Sequence, residues 1–205
     1  GGDLATARSL CQRALTHRSD TQPARIRALF HAFLAMIAAY QGDAEPLGRE
    51  VRIVRATLDA PQGWIDSGTH FVAGYGLAAA GQTAEAAELV LAGGGGPDLH
   101  LAQVVDRALG YDILVTAALE VEDLTGAIAW AGRAHELSPA PAAAAAVEQI
   151  DARLARAAGD AGQASLKAAA AAARTRAAGR LLEATATDVE RARALIAAGQ
   201  IPGAV

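Results

Sequence analysis

A short turn signature recurs along the chain and constrains its fold more than any other feature. It occurs at residues 2–7 (GDLATA), 42–47 (GDAEPL), 81–86 (GQTAEA), 122–127 (EDLTGA), 159–164 (GDAGQA) and 199–204 (GQIPGA). The starts lie 40, 39, 41, 37 and 40 residues apart. Near-equal spacing of this kind is the mark of a repeat architecture, in which each unit buries its apolar face only against its neighbours.

The signature has a physical reading. A glycine closes one helix, because it takes the left-handed conformation that satisfies the last carbonyls without a Cβ clash. Asp or Gln opens the next helix, and the Asp side chain caps its free N–H groups. Five residues past the glycine stands Ala7, Leu47, Ala86, Ala127, Ala164 or Ala204, mostly small enough for the second helix to fold back tightly on the first. The rest of the composition agrees. Alanine dominates, aromatics are 4% of residues, and nothing alternates as a half-buried strand does. The fold class is therefore all-α. The expected layout is a lone helix at 3–18, pairs 24–41/44–58, 64–80/83–92, 98–121/123–137 and 141–158/160–177, and an unpaired helix at 180–198. Residues 201–205 read as the start of a further helix.

The turn resembles that of the tetratricopeptide repeat, with its small residue before the turn, alanine after it and closing proline. Seven residues before successive turns lie Ala35, Gly74, Val115, Ala152 and Ala192, and Ser138-Pro139 matches the closing proline. The resemblance implies an α-α superhelix of about five degenerate pairs, each roughly 40 residues rather than 34. The motif's tryptophan is replaced by His31, His70, Tyr111, Glu148 and Asp188, and most closing prolines are missing. The first helices of such a stack line a concave groove. The groove positions, ten and six residues before each turn, are Ala32/Met36, Phe71/Tyr75, Asp112/Thr116, Gln149/Arg153 and Val189/Arg193. They make a surface that is apolar and aromatic toward the N-terminus and basic toward the C-terminus, suited to an amphipathic small molecule or peptide.

His31, His70 and Tyr111 share one repeat position and are expected to form a row across neighbouring first helices. Two readings stand for that row: a polar seam lining a ligand site, or packing in place of the motif's tryptophan. Two histidines without a third or fourth ligand at suitable spacing do not make a metal site. No metal and no cofactor are expected. The glycines at 93–96, followed by Pro97, lack the Gly-Lys-Ser/Thr ending of a phosphate loop. They read as a flexible hinge dividing a single 1–205 repeat domain into 1–92 and 98–205. Cys11 stands alone, so no internal disulfide forms, and it reads as a buried small hydrophobe. The basic stretch 167–176 is short and sits in a chain of net charge −4, so it reads as a solvated helix face and not a nucleic-acid footprint. No catalytic motif is present, which argues against an enzyme.

The most apolar helix, at 24–40, carries Arg25, Arg27 and His31 and is short for a bilayer. No secretory leader opens the chain, so a cytoplasmic protein is expected. It starts without Met on a repeat element, which suggests an excised fragment. Its repeat texture and the segment DVERARALIAAG at 188–199 resemble the helical-repeat region of MalT-like, LuxR-type bacterial transcription regulators. That resemblance implies a non-catalytic sensor of an inducer or a protein partner, flanked by an NTPase module and a helix-turn-helix domain. Self-association is a further expectation. A stand-alone adaptor of the same fold and a small α-solenoid enzyme are the alternatives, the latter requiring His70, Tyr111 and Asp112 to converge in a pocket.

Overall fold

The computed structural model describes residues 3–17 and 23–200, and these form ten α-helices and no strand. They are α1 (Leu4–Thr16), α2 (Ala24–Gln41), α3 (Ala44–Thr57), α4 (Trp64–Ala79), α5 (Thr83–Gly94), α6 (Val104–Glu120), α7 (Leu124–His135), α8 (Ala144–Ala157), α9 (Ala161–Ala177) and α10 (Leu181–Ala197). The all-α helical-repeat class read from the turns is the observed one. Gly2 of the first turn and the tail at 201–205 lie outside the described residues.

The turns carry the expected backbone. Gly42, Gly81, Gly159 and Gly199 are left-handed, with φ of 76, 78, 80 and 68°. After each, the next N–H donates to the carbonyl five residues back, as from Asp43 to Ala38 and from Asp160 to Ala155, both at 2.9 Å. This pairing satisfies the carbonyls that a helix end leaves open. Asp3, Asp123 and Asp160 cap the following helices by accepting from the N–H of Thr6, Gly126 and Gln163 at 2.9, 2.8 and 2.9 Å. Asp43 makes no such cap and pairs with Arg8 at 3.1 Å instead. Leu47, Ala86, Ala127 and Ala164, five residues past their turns, are all buried.

One turn departs from glycine. Glu122 holds φ 59°, and Asp123 still donates to Ala118 at 2.9 Å. A side chain in this region costs roughly 1–2 kcal/mol through the clash of Cβ with the backbone. Glu122→Gly is therefore expected to stabilise the protein by about 1 kcal/mol, since part of the relief is offset by the greater freedom of glycine in the unfolded chain. Urea unfolding checks this, and an unchanged or lower midpoint would contradict it.

The layout differs from expectation in three places. A further left-handed turn at Gly179, φ 73°, joins α9 to α10 and repeats the signature, with Ala172 seven residues before it and Ala184 five residues after it both buried. The helix expected to be unpaired thus packs on α9. Residues 98–103 are irregular rather than the start of a helix, because Leu99 is fully buried at φ 48° and Leu101 donates back to the Gly94 carbonyl at 3.1 Å. The chain also divides by its packing into two compact units, Gly1–Ile113 and Leu114–Val205, a boundary within α6 and not at 93–97.

In the N-terminal unit, α2 buries Ala28, Ala32, Ala35 and Ala38 along one stripe. This stripe meets α4, where a Cβ on Gly76 would lie only 3.0 Å from the Met36 Cα. Small residues on both helices permit that approach. In the C-terminal unit, α8, α9 and α10 stack with buried Ala152, Ala164, Ala168, Ala171 and Ala172 between them. Among the described residues, no helix is long and apolar enough to cross a membrane.

Candidate functional site

The groove positions read from the repeat fall into both units. In the N-terminal unit, His31, Met36, His70, Phe71, Tyr75, Tyr111 and Asp112 are buried or half-buried. Most have partners within the unit. His31 on α2 brings Nδ1 to 2.6 Å from Oε2 of buried Glu50 on α3, whose other oxygen accepts from Nε and Nη2 of Arg49 at 3.1 and 2.9 Å. His70 Nδ1 lies 2.9 Å from the Asp66 carbonyl of its own helix. A carbonyl only accepts, so this nitrogen carries the proton. Phe71 and Tyr75 stack edge to face with centroids 6.2 Å apart, and the Tyr75 hydroxyl donates to Asp106 at 3.2 Å. Tyr111 donates to the Pro97 carbonyl at 3.3 Å.

His70 also lines a cavity of about 280 Å³ with Arg55, Leu58, Asp59, Glu88, Leu89 and Ala92. Tyr111 and Asp112 are not among its walls, so the three groups that an enzyme reading requires do not meet there. A second concavity of about 330 Å³ lies between Pro23, Arg25, Ile26, Gln62 and exposed Trp64, with buried Asp66 at its base. Asp66 accepts from the Gln62 N–H at 2.9 Å and pairs with Arg25 at 3.3 Å. Among the described residues, no group of three or more His, Cys, Asp or Glu side chains is placed to hold a metal ion. Cys11 is half-buried on α1, and the loss of hydration pushes its thiol pKa up, which disfavours the reactive thiolate.

The C-terminal unit brings its three predicted residues together. Thr116, Arg153 and Arg193 line one concavity of about 440 Å³, completed by Leu119, Glu120, Arg156 and Ala157. Paired with its arginines is Glu190, on α10 and 1% exposed. Its carboxylate accepts from Arg153 Nη1 at 3.2 Å and from Arg156 Nε at 2.5 Å, while Arg193 Nη1 stands 3.7 Å away. A carboxylate this deeply buried is tolerated only because opposite charges and donors surround it. Thr187 ties the same helices together by donating to Gln149 Oε1 at 2.7 Å.

The positions ten and six residues before the turn identify Gln149 and Arg153 but stop one helical turn short of Arg156. Residues 149, 153 and 156 follow the i, i+4, i+7 spacing of one helix face, and Glu190 precedes Arg193 by three. Extending the repeat position by a turn reaches Arg156, whereas Glu190 lies between the two offsets, next to Val189. No protein-family model, curated protein or solved structure matches the chain.

Proposed function

We propose that this chain is a non-catalytic binding region that takes a ligand in the concavity of its C-terminal unit. In the manner of the LuxR-type regulators its repeats resemble, it relays occupancy to an NTPase module and a helix-turn-helix domain of the same protein. One observation carries the reading. Thr116, Arg153 and Arg193, groove positions implied by the resemblance to the tetratricopeptide repeat, come from three helices and line one pocket of about 440 Å³. That volume is in the range of small-molecule sites, which run to roughly 300–1,000 Å³. The surrounding chemistry is cationic and hydrogen-bonding, which suits recognition of a polar ligand.

A thermal-shift screen of the chain against metabolites and short peptides tests the binding reading. A ligand at about a hundred times its Kd adds roughly 2.7 kcal/mol of stability, which moves an unfolding midpoint by several degrees. A screen without a single reproducible shift would sink it. The regulator reading fails separately, if the gene that encodes this chain specifies neither an NTPase nor a helix-turn-helix domain. The adaptor reading has one observation in its favour: Val121, in the turn after α6, and Leu124 and Ile128, at the start of α7, stand 74%, 47% and 56% exposed, apolar surface of the kind that docks proteins.

A further inference from the structure

We infer that the pocket of the C-terminal unit is an anion site, for a small molecule carrying two or more negative charges as carboxylates or phosphates; this rests on the binding reading above. Three guanidinium groups, those of Arg153, Arg156 and Arg193, converge there on one internal carboxylate. Glu190 accepts one hydrogen bond from Arg153 and one from Arg156. Arg193, at 3.7 Å, is beyond hydrogen-bonding distance of it, and its side chain is 58% exposed at the pocket's rim.

Charge points the same way. Against the three arginines stand Glu190, which is buried, and Glu120, which is exposed at the lining, so one positive charge is in surplus. Glu190 acts as an internal stand-in for a ligand. It holds the guanidiniums in place from inside the unit, which lowers the ordering cost a bound anion must meet. Arginine forks match carboxylate and phosphate oxygens in pairs. Leu119 and Ala157 supply an apolar wall for a short carbon skeleton, and the volume fits a metabolite-sized anion rather than a folded partner.

Citrate and pyrophosphate are the probes, titrated by calorimetry at ionic strength held constant with sodium chloride. Binding of either supports the site, and which one binds separates the carboxylate class from the phosphate class. Arg193→Gln removes an exposed cation and is expected to weaken binding roughly tenfold, the usual effect of losing one charge-assisted contact. Glu190→Gln has the opposite expectation, a net gain of about tenfold, because freeing the guanidiniums of their internal counter-ion outweighs the ordering that counter-ion supplies. A merely structural cluster would not respond this way, since removing Glu190 would then loosen the pocket. If Glu190→Gln does not fold, Arg193→Gln alone decides. The assignment is overturned if neither probe binds, or if the parent and both variants bind alike. When the compound screen yields uncharged ligands while both anions fail, the anion assignment falls and the binding region stands; when nothing binds at all, both fall.

Discussion

Replacing Gly93 with alanine is expected to destabilise the N-terminal unit by on the order of 3 kcal/mol, at the severe end of what an added methyl group does to a packed interior. Gly93 lies in the last turn of α5, and a Cβ built on it would stand 2.3 Å from the His70 Cβ and 2.9 Å from its Cγ. Neither partner has room to yield. His70 is 3% exposed and tethered through Nδ1 to the Asp66 carbonyl at 2.9 Å, and the Cβ it presents is fixed by the backbone of α4. Alanine gains up to about 1 kcal/mol over glycine inside a helix, so the clash must outweigh a favourable propensity term. Gly132 on α7 supplies the contrast. Nothing lies within 4 Å of a Cβ placed there, and Gly132→Ala is expected to stabilise by roughly 0.5–1 kcal/mol. Urea unfolding of single-tryptophan variants resolves the two, because Trp64 lies in the first unit and Trp130 in the second. A Gly93→Ala midpoint equal to the parent's would refute the packing argument.

The same geometry bears on the hinge that the glycine run suggested. A Cβ on Gly94 would meet Leu99 Cδ2 at 2.4 Å, and Gly95 and Gly96 take φ of 79 and 101° as α5 ends. The Gly96 N–H returns to the Leu91 carbonyl at 2.9 Å, the pairing that closes the other helix ends. Bare backbone is used here for close approach and for a left-handed cap, two needs that a flexible linker does not have. By composition the two cases are identical, since what separates them is His70 and Leu99 arriving from elsewhere in the chain.

That contrast explains what could be read from the residues and what could not. The turns at Gly42, Gly81 and Gly159 were legible because their chemistry is local: a left-handed residue, an opener and a small residue at fixed offsets. Glu122 was legible only through the spacing, which placed a turn where no glycine stands. The turn at Gly179 escaped because Arg180 replaces the usual Asp or Gln and the interval from Gly159 is half the repeat. Thr116, Arg153 and Arg193 were found by repeat position, whereas Arg156 sits one turn beyond those offsets and Glu190 falls between them, one residue after Val189. The partners of His31 and His70 were not predictable, because the Glu50 carboxylate and the Asp66 carbonyl satisfy them through packing that the periodicity does not encode.

The second large effect concerns Arg153, and its sign depends on which partner of the cluster is removed. Arg153→Met takes away a donor 3.2 Å from Glu190 and leaves that carboxylate 1% exposed, with Arg156 as its remaining close partner. Breaking a buried pair from this side is expected to cost about 3 kcal/mol, because the carboxylate loses part of its compensating charge and has no route to water. Glu190→Gln removes the pair from the other side and is expected to cost at most about 1 kcal/mol. The arginine side chains are 12%, 33% and 58% exposed, so guanidiniums released from Glu190 are already partly hydrated. A double-mutant cycle isolates the interaction: in the Glu190→Gln background, Arg153→Met should lose most of its effect. Trp130 fluorescence during urea unfolding, in a Trp64→Phe background, reports the C-terminal unit alone. If Arg153→Met costs as much without Glu190 as with it, the loss reflects the packing of the arginine stem, and the buried carboxylate is not what the three guanidiniums are arranged around.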